Sequence, residues 1–142
     1  MLRWQLYAVF QVSLHVPLTD ETRSMISGHA LSMMKESAIL INCARGGVVD
    51  EKELACALNN GVIFGAGIDV FGHEPPSPDN ELLRCKNVII SPHSASLSRE
   101  ASIRTAEMCA RGCVAVLNGE HWPYVADKSA YNDNFIERKQ EK

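Results

Sequence analysis

The 142-residue sequence holds no run of apolar residues near the ~18 that a membrane-spanning helix needs, which argues against an embedded chain. It has no lysine- or arginine-rich stretch, and 14 basic against 17 acidic residues leave a net charge of −3. A mildly acidic chain without a basic patch is poorly suited to nucleic acid or to an anionic membrane surface. There is no Cys-x-x-Cys pair. The five cysteines, at 43, 56, 85, 109 and 113, are odd in number and do not cluster with histidines at zinc-ligand spacing. That speaks against a disulfide scaffold and offers no metal centre. The cysteines read as free buried thiols in a reducing compartment, by default the cytoplasm. What the chain does have is 46% hydrophobic residues, an ordinary globular proportion in a length typical of one domain.

The first ten residues carry one positive charge and an apolar patch, as a secretory leader does. Gln5 and Gln11 interrupt the pattern and no small-x-small cleavage site follows. Residues 1–11 therefore read as a lead into a buried strand. From there, short apolar runs alternate with helical stretches. Residues 12–16, closed by Pro17, read as a strand, and residues 27–35, behind a cap at Ser27, as a short helix. Met33 and Met34, with Met25 nearby, read as core filler.

Residues 38–43 form a second apolar run, broken by Gly46 and Gly47. Asp50 stands three residues before Glu53, a capping-box spacing, and Leu54 and Leu58 share a helix face that Gly61 ends. Residues 66–71 and 87–91 are two more strand candidates, the second ended by Pro92. Ser98 can cap a long helix with Glu100 in its first turn, where the helix dipole favours negative charge. Ile103, Ala106, Ala110, Cys113, Val114 and Leu117 form its apolar stripe, and Asn118-Gly119 ends it. Residues 127–142 read as a polar, mobile tail.

This order predicts an α/β fold with a parallel sheet covered on both faces. Ligands of such sheets bind beyond the carboxyl ends of the strands, and the chemically capable residues fall there. Arg45 follows the second strand between Ala44 and two glycines that permit a tight turn. Its guanidinium could grip a carboxylate through two parallel hydrogen bonds, or simply close the turn at the surface. His93 follows the fourth strand, where it could exchange a proton or be a hydrogen-bonded structural histidine. Glu74, before Pro75 and Pro76, is a loop carboxylate. If it meets His93 it would favour the imidazolium and make an acid–base pair. Asp69 ends the third strand and could merely cap a turn. His29, His73 and His121 show no partner pattern and read as surface or structural residues.

Four segments, in this order, carry a further signal: Ser13-Leu14-His15-Val16-Pro17-Leu18-Thr19, residues 41–50 around Asn42-Cys43-Ala44-Arg45-Gly46-Gly47, Gly65-Ala66-Gly67-Ile68-Asp69-Val70-Phe71, and Ser91-Pro92-His93. They resemble the D-isomer-specific 2-hydroxyacid dehydrogenases over roughly residues 12–125, nearest to the phosphoglycerate dehydrogenase and glyoxylate/hydroxypyruvate reductase branches. The resemblance implies residues 12–126 as the second half of a doubly wound, Rossmann-like NAD-binding domain. It implies NAD or NADP as cofactor, with NAD favoured, and a small 2-hydroxy or 2-keto acid as substrate. It implies that Arg45 holds the substrate, that His93 is the acid/base and that Glu74 orients His93. Val16, Cys43, Ala44, Arg45, Asp69, His93, Ser94, Ala95 and Ser96 would contact the cofactor, with Asp69 near the carboxamide. A homodimer is the implied assembly.

The sequence also departs from that family. It contains no Gly-x-Gly-x-x-Gly, the motif whose turn and helix N-terminus hold the pyrophosphate. The acidic ribose-selecting residue that follows it and the separate substrate domain are missing too. The expectation is a partial chain, inactive alone and weakly stable or self-associating, because its first strand would lack a neighbour. A non-catalytic truncated product and a corepressor-like interaction module are the alternatives.

Overall fold

The computed structural model describes residues 9–127; the leading residues 1–8 and tail residues 128–142 lie outside the described residues. The chain forms two compact units divided between Ala95 and Ser96. In the first, β1 (Gln11–Leu14), α1 (Gly28–Ser32), β2 (Ile39–Asn42), α2 (Glu51–Asn59), β3 (Gly65–Ile68), a 3₁₀ turn (Glu81–Arg84) and β4 (Val88–Ile90) follow in order. The strands pair in parallel in the order β1-β2-β3-β4. The predicted alternation and the α/β class are observed, with each strand shorter than its apolar run.

The register explains the layering. Leu14, Asn42 and Ile68 pair in one row that Ile68 extends to Ile90; Leu40 and Ala66 lie on the same face. Alternate residues point to opposite faces, so Leu14, Leu40, Ala66 and Ile68 all face the core, where they meet Leu31, Met34, Leu54, Leu58 and Leu82. Met33 and Met34 are buried there and Met25 packs against them, as core filler should. The opposite face carries Ile39, Ile41, Gly67 and Ile89. Among the described residues of this unit no helix covers it, and Ile89 is 80% exposed. The expectation of two covered faces is corrected: apolar runs without alternation record what the sheet is suited to pack against, not that a layer is present. β1 is likewise an edge strand, with only Leu14 of its four residues buried.

Helix signals met different fates. Asp50 caps α2 by accepting the Glu53 amide at 3.1 Å. The reciprocal half of the capping box is absent, because the Glu53 carboxylate accepts from the Gly28 amide instead. That contact satisfies the Gly28 amide at the first position of α1, where Ser27 at the N-cap makes no side-chain capping bond. α1 stops after five residues rather than running to 35.

The second unit contains α3 (Arg99–Asn118), capped by Ser98, which accepts the Ala101 amide at 3.1 Å, and ended by Gly119 in the left-handed region. Trp122 packs on Gly112 and meets Tyr124 edge-on at 5.6 Å. Here the expected stripe exists as a sequence pattern only. Ile103, Val114 and Leu117 are exposed, Leu117 at 75%, and α3 buries just Gly112 and Ala115. Periodicity identifies a face; it does not supply what covers it. The thiols are corrected too: all five are free, but four are exposed and Cys85 is half-buried. The statistical preference of cysteine for the interior yields to local position.

Candidate active site

The row Leu14, Asn42, Ile68 and Ile90 ends all four strands at one level. The singled-out residues lie just past it: Val16, Cys43 to Arg45, Asp69, and His93 to Ala95. Parallel pairing therefore gathers them on one edge. Ser96 opens the second unit.

Asp69 organises the β3–β4 side. It is 3% exposed, a burial that an ionised carboxylate tolerates only when its oxygens are well partnered. Oδ1 accepts the Ser91 hydroxyl and the Ser94 amide at 2.8 Å, and Oδ2 accepts the Ala95 amide at 2.9 Å. The Asp69 carbonyl also accepts the His93 amide at 2.8 Å. Burial pushes the Asp69 carboxyl up, but the Ser91 hydroxyl and the two amides outweigh it and hold the group below its ordinary range. Residues 91–95 thus wrap around one buried anion. The wrapping forces His93 to φ +52°, a left-handed conformation that costs a non-glycine residue about 1–2 kcal/mol.

That conformation turns the imidazole toward Glu74. His93 Nδ1 lies 2.8 Å from Glu74 Oε2, the one ion pair among the described residues within the usual distance. A carboxylate only accepts, so Nδ1 carries the hydrogen and Nε2 is the nitrogen left to exchange a proton. Glu74 Oε1 accepts the Phe71 amide at 3.0 Å. The His93 bond, then the Phe71 amide, hold the Glu74 carboxyl below the ordinary carboxylate range. Both side chains remain accessible, His93 at 49% and Glu74 at 38%. They border a cavity of about 420 Å³ whose other walls include Phe71, Pro75, Ile90 and Pro92. Asp69 and Ser91 also line it, so a few polar groups stand among mainly apolar walls, as in small-molecule sites.

The β1–β2 side is looser. Arg45 is exposed, makes no ion pair with any described residue, and donates to the neighbouring Ala44 carbonyl at 2.7 Å. Cys43 is exposed and Ala44 half-buried. None of the three lines the cavity beside His93. Their turn is shaped from beneath by Asn42, 2% exposed, whose Oδ1 accepts the Ala44 amide and whose Nδ2 donates to the Arg45 carbonyl, both at 3.1 Å. Val16 is half-buried against the core. Asn42 and Ser91 were not singled out by sequence. A polar residue closing an apolar run was the available signal for each.

The family model described as D-isomer specific 2-hydroxyacid dehydrogenase, NAD binding domain, matches residues 8–95. The chain belongs to this family. Among curated relatives of this dehydrogenase segment, a glyoxylate reductase of Korarchaeum cryptofilum is 50% identical over 117 residues, which are 82% of this chain and 35% of that protein. A D-3-phosphoglycerate dehydrogenase of Methanocaldococcus jannaschii is 46% identical over 109 residues, 77% of this chain and 21% of that one. The two branches expected from sequence are both represented. A solved NADPH-dependent glyoxylate/hydroxypyruvate reductase from Sinorhizobium meliloti, in complex with NADP and malonate, superposes with a TM-score of 0.78 at 36% identity. That match covers 88% of this chain and 39% of the solved one.

The dehydrogenase segment thus spans about a third of the length of the glyoxylate reductases it matches. Its residues fit one end of a nicotinamide dinucleotide. The cavity at His93, about 420 Å³ with Phe71, Pro75, Ile90 and Pro92 in its walls, has room for a ring, and the Cys43–Arg45 turn lies at the end of the next strand, β2. No glycine-rich turn for the pyrophosphate occurs in the sequence. Among the described residues, no helix is long and apolar enough to cross a membrane.

Proposed function

We propose that this chain carries the acid–base end of an NAD(P)-dependent dehydrogenase that interconverts a small 2-hydroxy acid and its 2-keto acid. The observation that carries the reading is the Glu74–His93 pair, held at 2.8 Å by a turn built on Asp69 at the carboxyl edge of a parallel sheet. When bound, the nicotinamide supplies or accepts the hydride. His93 Nε2 gives a proton to the carbonyl oxygen in reduction and takes it back in oxidation. Glu74 fixes the imidazole ring and balances the imidazolium charge. The exposed Arg45 guanidinium takes the substrate carboxylate through paired hydrogen bonds. Val16, Cys43, Ala44, Arg45, Asp69, His93 and Ser94 to Ser96 are the cofactor contacts, Asp69 through whatever acceptor capacity its loop bonds leave toward the carboxamide. A homodimer and the cytoplasm complete the reading; five free thiols support a reducing compartment.

The test joins residues 9–127 to the missing nucleotide half and substrate domain of a glyoxylate reductase. NADH oxidation with glyoxylate or hydroxypyruvate should appear in the hybrid and be absent from the 142-residue chain alone. His93→Ala should lower kcat by about 10²–10⁴-fold, the usual contribution of a positioned acid/base. Arg45→Ala should act mainly on KM. Unchanged turnover in His93→Ala removes the mechanism.

A further inference from the structure

We propose that Glu51, the first residue of α2, is a positioning residue for the acid–base pair: by holding the Phe71–Gly72 peptide it fixes the turn that aims Glu74 at His93. The inference rests on the reading of Glu74 and His93 as that pair.

The contacts form a continuous path. Glu51 Oε1 accepts the Gly72 amide at 2.6 Å. The other end of the same peptide, the Phe71 carbonyl, lies against Gly46, where an added Cβ would sit 1.8 Å from the oxygen. Only glycine admits that approach, so the peptide is clamped between the turn following Arg45 and the first turn of α2. The amide of Phe71 is in turn donated to Glu74 Oε1 at 3.0 Å, and Glu74 Oε2 reaches His93. Beyond Phe71, which is buried, residues 72–75 are all exposed. His73 Nδ1 bonds to the Pro75 carbonyl at 2.9 Å, which ties this turn to itself rather than to the body of the unit. Glu74 is therefore oriented through the Phe71 amide, and Glu51 holds the adjoining Phe71–Gly72 peptide, one Cα away.

Glu51 is itself well anchored. Its second oxygen accepts Asn80 Nδ2 at 2.7 Å, and Asn80 Oδ1 accepts the amide of the buried Leu82 at 3.0 Å. A hydrogen bond to a charged acceptor contributes more than a neutral one. An acidic residue in a first helical turn is expected from the helix dipole alone. Glu53 provides the internal contrast. It lies in the same helical turn and also accepts a backbone amide, but that of Gly28, remote in sequence from the Glu74 turn.

The test uses the 142-residue chain and follows the Glu74 side-chain carboxyl by carbon NMR through acid titration. Its midpoint reports the Phe71 and His93 bonds together, with Asp69 the nearby charge that opposes them. Glu51→Ala should raise the midpoint by about half a pH unit or more as the Phe71 bond loosens. Glu51→Gln keeps an oxygen for the Gly72 amide and should restore most of the low midpoint. Glu51→Asp keeps the charge but withdraws the oxygens, and should resemble Glu51→Ala. Glu53→Ala should lower the melting temperature without moving Glu74. An unmoved Glu74 in folded Glu51→Ala or, if that variant does not fold, in Glu51→Asp overturns the inference. So does loss of the fold in both, which would make Glu51 a stability residue only. His93→Gln separates the two levels. If it fails to raise the Glu74 midpoint, the pair itself is wrong; if it succeeds where Glu51→Ala fails, only the role of Glu51 falls.

Discussion

The two halves of the sheet edge are built on different principles. On the β3–β4 side, Asp69, Glu74, Ser91 and His93 are bonded to one another and to their own backbone before any ligand arrives. On the β1–β2 side, Cys43 and Arg45 stay exposed, and one buried asparagine shapes only the backbone beneath them. Proton transfer needs fixed geometry, since a positioned acid or base loses effect with small displacements. The proposed capture of a carboxylate by the exposed Arg45 would not need it, because the ligand itself would complete the hydrogen bonds.

Substitutions can break or sharpen this contrast. The largest effect is expected from Asp69→Ala, which leaves the Ser94 and Ala95 amides and the Ser91 hydroxyl without their acceptor. It should cost about 2–3 kcal/mol in urea unfolding. Asn42→Ala should cost less, about 1–2 kcal/mol, because it releases one amide and one carbonyl. Equal losses would mean that the two halves are equally organised. A smaller effect concerns pH. The Asp69 and Glu74 carboxyls lie below their ordinary range in the folded chain. Their contribution is complete above the unfolded carboxylate range, about 4, and is lost as pH falls through the lower folded values. The urea midpoint should therefore hold from neutral pH to about 5 and drop in stronger acid, and the advantage of the native chain over Asp69→Asn should shrink with it. The least change is expected from Ile89→Thr on the uncovered face, within about 0.5 kcal/mol, as for a typical surface position.

Much of this architecture was legible in the sequence because apolar runs, glycines and prolines mark strand ends directly. Arg45, Glu74 and His93 could be named because each stands beside such a marker. Asp69 was seen, but the wrapping of residues 91–95 around it was not, since contacts across 25 residues leave no local pattern. Glu51 was hidden by plausibility: an acidic residue at the start of a helix already has an explanation. The α3 stripe and the cysteines failed in the opposite way. Their composition suggested burial, and burial depends on neighbours that periodicity cannot supply.

The common level at which the strands end has a consequence for how this segment can change. Each site residue is counted forward from one line across the sheet, through Leu14, Asn42, Ile68 and Ile90. Deleting a single residue inside any strand would flip its side chains to the opposite face and pull its contribution off the edge. Length changes in the exposed parts of the connections at the other edge, such as residues 36–37 or 60–61, leave the count untouched. Tolerance to insertion should therefore be polarised along the strands, with one end of the sheet free to vary and the other fixed to the residue.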